Sequence, residues 1–250
     1  MGLKANFLYN LVLTISNYVV GIIVFPYISR VLGVESIGVI GFVDNSINYF
    51  ILFATLGINT VGVREIARVR SNQEKLNFTY SSLLLLSTIL LSIVVIAYLI
   101  LVSTVDRFIG FKDLFIIGSG KLIFTVYSIE WFYRGIENFK FICARNILVK
   151  IVYIALLFLF VKKEGDVDLY FILTVGSIVV GAAINLFYAK RFVSLSFLAA
   201  DIRPFIKQVF SIGAYGILTS MYTTFNVMYL GFVSSSVEVG YYWTALKIYT

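Results

Sequence analysis

Residues 78–102 read FTYSSLLLLSTILLSIVVIAYLILV, a stretch of 25 residues without a charged side chain. An α-helix rises ~1.5 Å per residue, so a helix of this length crosses the ~30 Å hydrocarbon core of a bilayer. Helices of soluble domains rarely contain such a run, because they keep a polar face toward water. The stretch therefore predicts a transmembrane helix.

Comparable apolar runs recur along most of the chain. They predict seven complete spans and the start of an eighth near residue 241, the seven being 7–28, 38–58, 78–102, 114–131, 147–161, 169–188 and 205–233. The fifth span extends upstream toward residue 141. Lipid offers backbone groups no hydrogen-bonding partner, and the period-2 pattern of barrel strands is missing, so each span is interpreted as a helix. We predict an all-α fold, a polytopic transmembrane helix bundle.

The overall composition supports a membrane protein and argues against an enzyme. Of the 250 residues 60% are hydrophobic and 13% are charged, whereas soluble domains carry about 25% charged residues. The chain has no His and one Cys, Cys143, which excludes a Ser-His-Asp triad and a Cys/His zinc site. No paired acidic motif falls on a predicted cytoplasmic loop. We expect no catalytic residue, no metal ion and no cofactor.

The Lys and Arg residues fall mainly on one side of the predicted spans. With a cytoplasmic N-terminus, thirteen lie in cytoplasmic segments and five on the opposite side, as the positive-inside rule requires. The thirteen are Lys4, Arg64, Arg68, Arg70, Lys75, Arg134, Lys140, Arg145, Lys150, Lys190, Arg191, Arg203 and Lys207, and the five are Arg30, Arg107, Lys112, Lys162 and Lys163. Every basic segment adjoins an apolar span, so the net charge of +7 reflects topology and not nucleic-acid binding. We expect a multi-pass protein of the inner (plasma) membrane, with membrane lipid but no nucleic acid as a partner.

Aromatic residues stand at two predicted span ends. Trp131, Phe132 and Tyr133 close the fourth span, and residues 241–243 begin the eighth. Trp and Tyr collect at the headgroup level of membranes. These residues are therefore predicted to be interfacial anchors.

A weak internal repeat relates the two ends of the chain. A shift of 202 residues places Tyr27 on Tyr229, Ile28 on Leu230, Val31 on Val233, Ile37 on Val239 and Gly38 on Gly240. Transporters are commonly built from two related halves. We therefore predict a six-helix N-terminal lobe over residues 1–200, and the first helix and the start of the second helix of an incomplete C-terminal lobe over residues 201–250.

Two ionisable residues lie deep inside predicted spans, where a charge costs about 2.5–3.5 kcal/mol on insertion scales. Lys121, in the fourth span, either presents a cation to an anionic group in a central cavity or pairs with an acid on a neighbouring helix. Asp44 shares one polar face of the second span with Asn48, four residues on. It pairs with Lys121, binds a coupling ion, or caps an irregular helix start. The sequence leaves these alternatives open.

Arg30 and Glu130 lie nearer the ends of spans. Arg30 follows Pro26, whose missing amide predicts a kink, and its guanidinium suits a pyrophosphate as well as an ordinary interface. Glu130 is either a polar residue of the lumen or a solvated helix end. We predict two substrate-binding lumen cations, Arg30 and Lys121, and four ion-coupling or polar lumen residues, Asp44, Asn45, Asn48 and Glu130.

Three stretches carry a family resemblance. They are FPYISRVLG at 25–33, followed by Gly38 and Phe42; Leu56-Gly57 with REIA at 64–67; and EWFYRGIE at 130–137. In these stretches the chain resembles the polysaccharide-transporter branch of the multidrug/oligosaccharidyl-lipid/polysaccharide exporter superfamily. More narrowly, it resembles the Wzx-type O-antigen and repeat-unit flippases.

This resemblance implies two helical lobes around a positively charged central cavity. It implies alternating-access transport of an undecaprenyl-pyrophosphate-linked oligosaccharide to the periplasmic leaflet, with a polysaccharide polymerase and a chain-length regulator as partners. Two other functions stay open. A multidrug-type cation antiporter would need acidic lumen groups, for which only Asp44 and Glu130 are available. A non-transporting membrane component of a polysaccharide-assembly complex would tolerate substitution of the embedded charges.

Overall fold

The structure is a computed structural model that describes residues 3–198, 200–223 and 225–249, and the side chain of Lys4 lies outside the described part. Its α-helices are α1 (Leu3–Thr55), α2 (Ile58–Val69), α3 (Gln73–Thr104), α4 (Asp106–Ile109), α5 (Lys112–Val126), α6 (Glu130–Gly135), α7 (Phe139–Phe160), α8 (Val167–Ala189), α9 (Arg203–Thr223), α10 (Phe225–Val233) and α11 (Ser236–Tyr249). A 3₁₀ turn at Glu164–Asp166 precedes α8. No strand occurs among these residues, so the all-α prediction is confirmed.

Five helical segments in the described ranges are long and apolar enough to cross a membrane. They are Ala5–Val69, Gln73–Thr104, Lys112–Gly135, Phe139–Phe160 and Glu164–Ala189. The first has 65 residues, which is roughly three times the length that a bilayer requires, so it accommodates the first two predicted spans. Helices α9 and α10 occupy the seventh predicted span, and α11 occupies the start of the eighth. The polytopic helix bundle is confirmed, whereas the division at residue 200 stays a prediction.

Helix α1 is interrupted at Gly33. Its φ of 78° and ψ of 167° lie outside the helical region and suit a residue without a Cβ. The sequence predicts a kink at Pro26, but the backbone angles stay helical there and the break comes later in the chain. Residues 3–32 and 34–55 therefore form two helical parts, which carry different portions of the site described below.

The aromatic residues after the fourth span are core residues. Trp131, Phe132 and Tyr133 are all buried, and the ring centroids of Phe132 and Tyr80 lie 4.9 Å apart. Tyr188 of α8 stacks against Tyr133 from another side, at 6.0 Å. The prediction of interfacial anchors is wrong for these three residues. The short helix α6 packs against α2 and α7, so protein and not lipid surrounds these three aromatic rings.

Helices α1 and α11 approach each other closely through two glycines. A Cβ on Gly38 would overlap the carbonyl oxygen of Ser236, and a Cβ on Gly240 would overlap the carbonyl oxygen of Val34. The residue numbers in the pairs Val34/Ser236 and Gly38/Gly240 both differ by 202, the offset of the internal repeat. The contacts are reciprocal: Gly38 meets Ser236, the counterpart of Val34, and Gly240, the counterpart of Gly38, meets Val34. Reciprocal contacts of this kind are expected between two segments related by a two-fold axis. Small residues permit such close helix crossings within membranes.

Candidate functional site

Asp44 and Lys121 meet inside the bundle. Asp44 lies in the second part of α1, Lys121 lies in α5, and the Lys121 amine forms an ion pair with Asp44 Oδ1. Their side chains are only 23% and 13% exposed. Asn48, one helical turn after Asp44, donates a hydrogen bond to Asp44 Oδ2 at 3.3 Å. Both carboxylate oxygens are therefore engaged, which fixes the orientation of the acid toward α5.

This ion pair lines a cavity of about 230 Å³. Side chains from both parts of α1 and from α5, α7, α8 and α11 surround it. The same cavity is lined by Tyr153, whose hydroxyl lies 3.1 Å from the Thr174 hydroxyl, and by Lys247 of α11. The Lys247 amine lies over the Trp243 ring, 5.4 Å from its centroid. Two Lys and one Asp thus leave the cavity with one excess positive charge.

Asn45 has a different position from that predicted. Its side chain is buried, and its amide donates to the carbonyl oxygen of Gly41 in the same helix at 2.8 Å. Asn45 does not line the cavity of Asp44 and Lys121. Its hydrogen bond stabilises α1 from within.

Arg30 is separated from the other predicted cation. It is exposed, lies near the break at Gly33, and is not among the residues that line the cavity of Lys121. Within the described part of the chain, no carboxylate forms an ion pair with it. The two predicted substrate-binding cations therefore do not form one site.

Glu130 belongs to a second charged cluster. Its Oε1 accepts a hydrogen bond from Arg145 at 2.5 Å, and its Oε2 lies 3.5 Å from Arg134. The Arg145 side chain is only 5% exposed and also donates to the Asn146 side chain at 2.5 Å. The sequence predicts Arg145 on a cytoplasmic loop, but Arg145 lies inside α7 as a buried counterion of Glu130.

Lys150 is another embedded cation that the sequence analysis counted among the loop residues. It lies near the middle of α7, and its amine donates to Ser16 Oγ at 2.8 Å and to Asn17 Oδ1 at 2.5 Å, both in the first part of α1. Among the described residues, no carboxylate pairs with it. Tyr153, three residues on, lines the cavity of the ion pair, so Lys150 lies one helical turn from that cavity.

With Arg145 and Lys150 inside a span, eleven Lys and Arg residues remain on the predicted cytoplasmic side, against five opposite. The bias persists. In the described ranges, no cluster of three or more acidic or Cys residues could hold a metal ion.

A family model described as "Polysaccharide biosynthesis protein" matches residues 3–250. The chain belongs to this family. Within it, the chain is 26% identical over 249 residues to a protein of Escherichia coli (strain K12) named "Putative O-antigen transporter", covering 96% of this chain and 59% of that protein. A protein of Shigella dysenteriae with the same name is also 26% identical, over 98% of this chain and 62% of that protein. No solved structure matches the chain.

The chain thus spans about three fifths of the length of these curated relatives. Its family membership covers nearly every residue, and its apolar helices agree with a transporter family. It is a multi-pass membrane protein of the polysaccharide biosynthesis family, similar to proteins named as O-antigen transporters.

Proposed function

We propose that this member of the polysaccharide biosynthesis family is part of a flippase. Its substrate is an undecaprenyl-pyrophosphate-linked oligosaccharide repeat unit, which it moves across the inner membrane for the synthesis of O-antigen or a related polysaccharide. The names of the two relatives support a role in O-antigen transport. The distribution of Lys and Arg supports a cytoplasmic N-terminus.

The observation that carries this proposal is the net positive charge of the central cavity. Lys121 and Lys247 line it together with one acid, Asp44. A membrane helix retains charges where they face protein or water, and a pyrophosphate needs cations when it leaves bulk water. The cavity of about 230 Å³ accommodates the charged group rather than a whole oligosaccharide, so the sugar extends beyond it.

Each side chain has a distinct role in this mechanism. Lys247 binds the pyrophosphate, because within the described part of the chain it forms no ion pair and contacts the Trp243 ring. Asp44 and Asn48 hold Lys121 toward the same cavity. The hydroxyls of Tyr153 and Thr174, which also line the cavity, accept or donate hydrogen bonds. The polyprenyl tail stays in lipid while the polar group crosses. A polymerase and a chain-length regulator would act on the flipped unit.

The same charges disfavour a multidrug-type cation antiporter. Such a protein attracts cationic drugs with carboxylates, but Asp44 is engaged by Lys121 and Glu130 by Arg145. An arriving cation would have to displace a lysine or a buried arginine. An anionic substrate meets no such competition at Lys247.

Export in cells tests the proposal. A deletion strain expresses the whole transporter with Lys121→Met, Lys247→Met or, as a control, Lys112→Met, which changes an exposed lysine at the start of α5. We expect both cavity variants to lower surface polysaccharide about tenfold or more at equal membrane abundance, as the loss of one charge-assisted hydrogen bond predicts. The control should export normally.

A double variant, Asp44→Asn with Lys121→Met, separates loss of export from loss of folding, because it leaves no unpaired carboxylate in the bundle. It should be as abundant as the wild type and still fail to export. Wild-type export by all three cavity variants would refute the proposal. In that case a non-transporting component of a polysaccharide-assembly complex becomes the better explanation.

A further inference from the structure

A second, larger cavity lies between α2 and α6, and we name it the α2–α6 vestibule. Its volume is about 550 Å³. The polar side chains that line it are those of Asn59, Thr60, Arg64, Ser128, Glu130 and Arg134. The fourth span is broken beside it: Ile129 adopts a left-handed conformation with φ of 42°, between the end of α5 and the start of α6.

The vestibule has an excess of positive charge. Buried Arg145 neutralises Glu130 from behind, at 2.5 Å. Arg134 therefore keeps only a long contact of 3.5 Å with Glu130, and its side chain is 44% exposed. Arg64 Nε lies 3.0 Å from Glu65 Oε1, and Arg64 Nη2 donates a hydrogen bond to Gln208 Oε1 of α9. Of the charged residues that line the vestibule, two are arginines, Arg64 and Arg134, and one is an acid, Glu130.

We propose that the α2–α6 vestibule binds a phosphate group attached to a saccharide. Arg64 and Arg134 bind the phosphate oxygens, since guanidinium groups hold phosphates through two parallel hydrogen bonds. Asn59, Thr60 and Ser128 supply amide and hydroxyl groups for the sugar hydroxyls. The ligand rests on the proposed function, because it is the head of the same lipid-linked substrate before it reaches the central cavity.

The size of the vestibule favours a saccharide over a bare phosphate. Its volume falls in the range of about 300–1,000 Å³ that is typical of small-molecule sites. A phospholipid headgroup shares the phosphate chemistry, but it offers fewer hydroxyls to Asn59, Thr60 and Ser128. The two sources therefore differ in their dependence on the neutral side chains.

A binding experiment on the full chain tests this assignment. The protein is placed in nanodiscs of phosphatidylcholine, and the probe is a short-chain prenyl pyrophosphate that carries one N-acetylglucosamine. Arg64→Gln and Arg134→Gln should each weaken probe binding about tenfold. Arg68→Gln is the matched control, because Arg68 also bonds to Glu65 at 3.0 Å but does not line the vestibule. It should bind the probe as the wild type does.

Two further arms identify the ligand and separate this site from the central cavity. Asn59→Ala with Thr60→Ala should weaken binding of the glycosylated probe but not of inorganic pyrophosphate, and Arg134→Lys should restore part of the affinity as a check on folding. All measurements are repeated with Lys247→Met, so that central binding does not mask the vestibule.

Unchanged affinity in both arginine-to-glutamine variants overturns the vestibule site and leaves the export test of Lys247 unaffected. Equal binding of phosphatidylglycerol, with no effect of the change at Asn59 and Thr60, overturns the saccharide ligand and assigns the phosphate to a lipid headgroup. Loss of export in the central variants combined with normal vestibule binding supports both sites.

Discussion

Removing one partner of the Asp44–Lys121 ion pair should destabilise the chain more than removing both. Their side chains are 23% and 13% exposed, so the pair is closer to a buried than to a surface ion pair. Breaking a fully buried pair from one side costs about 3–5 kcal/mol, and an exposed pair contributes about 0–1 kcal/mol. We therefore expect Asp44→Asn and Lys121→Met each to lower the free energy of unfolding by about 2 kcal/mol.

The double variant leaves no uncompensated charge. It should cost no more than either single change, which gives a coupling energy of about 2 kcal/mol between the two positions. Ordinary interhelical hydrogen bonds in membrane proteins average about 0.6 kcal/mol in such cycles. The expected coupling energy is well above that value, so the double-mutant cycle distinguishes an ion pair from an ordinary polar contact.

Unfolding of the purified chain by SDS in mixed micelles measures these energies. Tryptophan fluorescence is a suitable signal, because Trp243 borders the cavity and Trp131 is buried in a separate hydrophobic cluster. Circular dichroism supplies a second signal and tests two-state behaviour. Additive effects of the two substitutions, or a coupling below about 0.6 kcal/mol, would refute the buried pair.

Two other substitutions have equally specific outcomes. Gly38→Ala should lower the free energy of unfolding by about 1–3 kcal/mol in the same SDS assay, because the new Cβ overlaps the Ser236 carbonyl oxygen. Gly176→Ala is the control and should leave the free energy of unfolding unchanged, because its new Cβ meets no packed neighbour within 4 Å. Lys150→Met should raise the free energy of unfolding by about 1–2 kcal/mol, because it removes an embedded charge that has no counterion. The same substitution should abolish surface polysaccharide in the export assay. The control Lys140→Met, at the exposed start of α7, should change neither the free energy of unfolding nor the amount of surface polysaccharide. Wild-type stability of the Gly38→Ala chain would contradict the first expectation, and normal export by the Lys150→Met chain would contradict the second.

The spans were predictable because lipid imposes a length and an apolar composition on each helix. The run at 78–102 lies within α3, which extends it at both ends by polar and small residues. The interruption of α1 at Gly33 falls between the predicted spans 7–28 and 38–58, where Arg30 and Glu35 interrupt the apolar run. Hydropathy therefore predicts a boundary in this region, but not the residue at which the helix breaks. Its signal is conformational: a glycine that adopts a positive φ.

The embedded charges were only partly predictable. Lys121 and Asp44 stand alone in apolar runs, so their depth is evident, but their pairing depends on the packing of α1 against α5. Arg145 was misplaced because a charge shortens an apolar window and so moves a predicted span boundary. Lys150 was counted as cytoplasmic although it lies within the predicted span 147–161. Asn138 was the available signal, since its side chain caps α7 by accepting from the Phe141 amide at 3.4 Å.

Two of the embedded cations have carboxylate partners. Lys121 is balanced by Asp44, and Arg145 is balanced by Glu130. Such pairs fix the relative positions of the helices that carry them. Because each of these cations already bonds to a carboxylate, a ligand gains less from it than from an unpaired cation. Their main contribution is to hold the cavity walls in place.

Lys150 and Lys247 differ, because in the described part of the chain neutral oxygens and an aromatic ring are their only close partners. An uncompensated cation in a membrane helix is costly, so it requires water or an anion nearby. Lys247 lines the central cavity, and Lys150 lies one turn from Tyr153 on its wall. Lys150 itself does not line the cavity, because its amine is directed to Ser16 and Asn17. An anion that enters the cavity gains more from the unpaired Lys247 than from Lys121, which is already bonded to Asp44. The ion pairs therefore fix the geometry of the cavity walls, and the unpaired cation favours an anionic ligand.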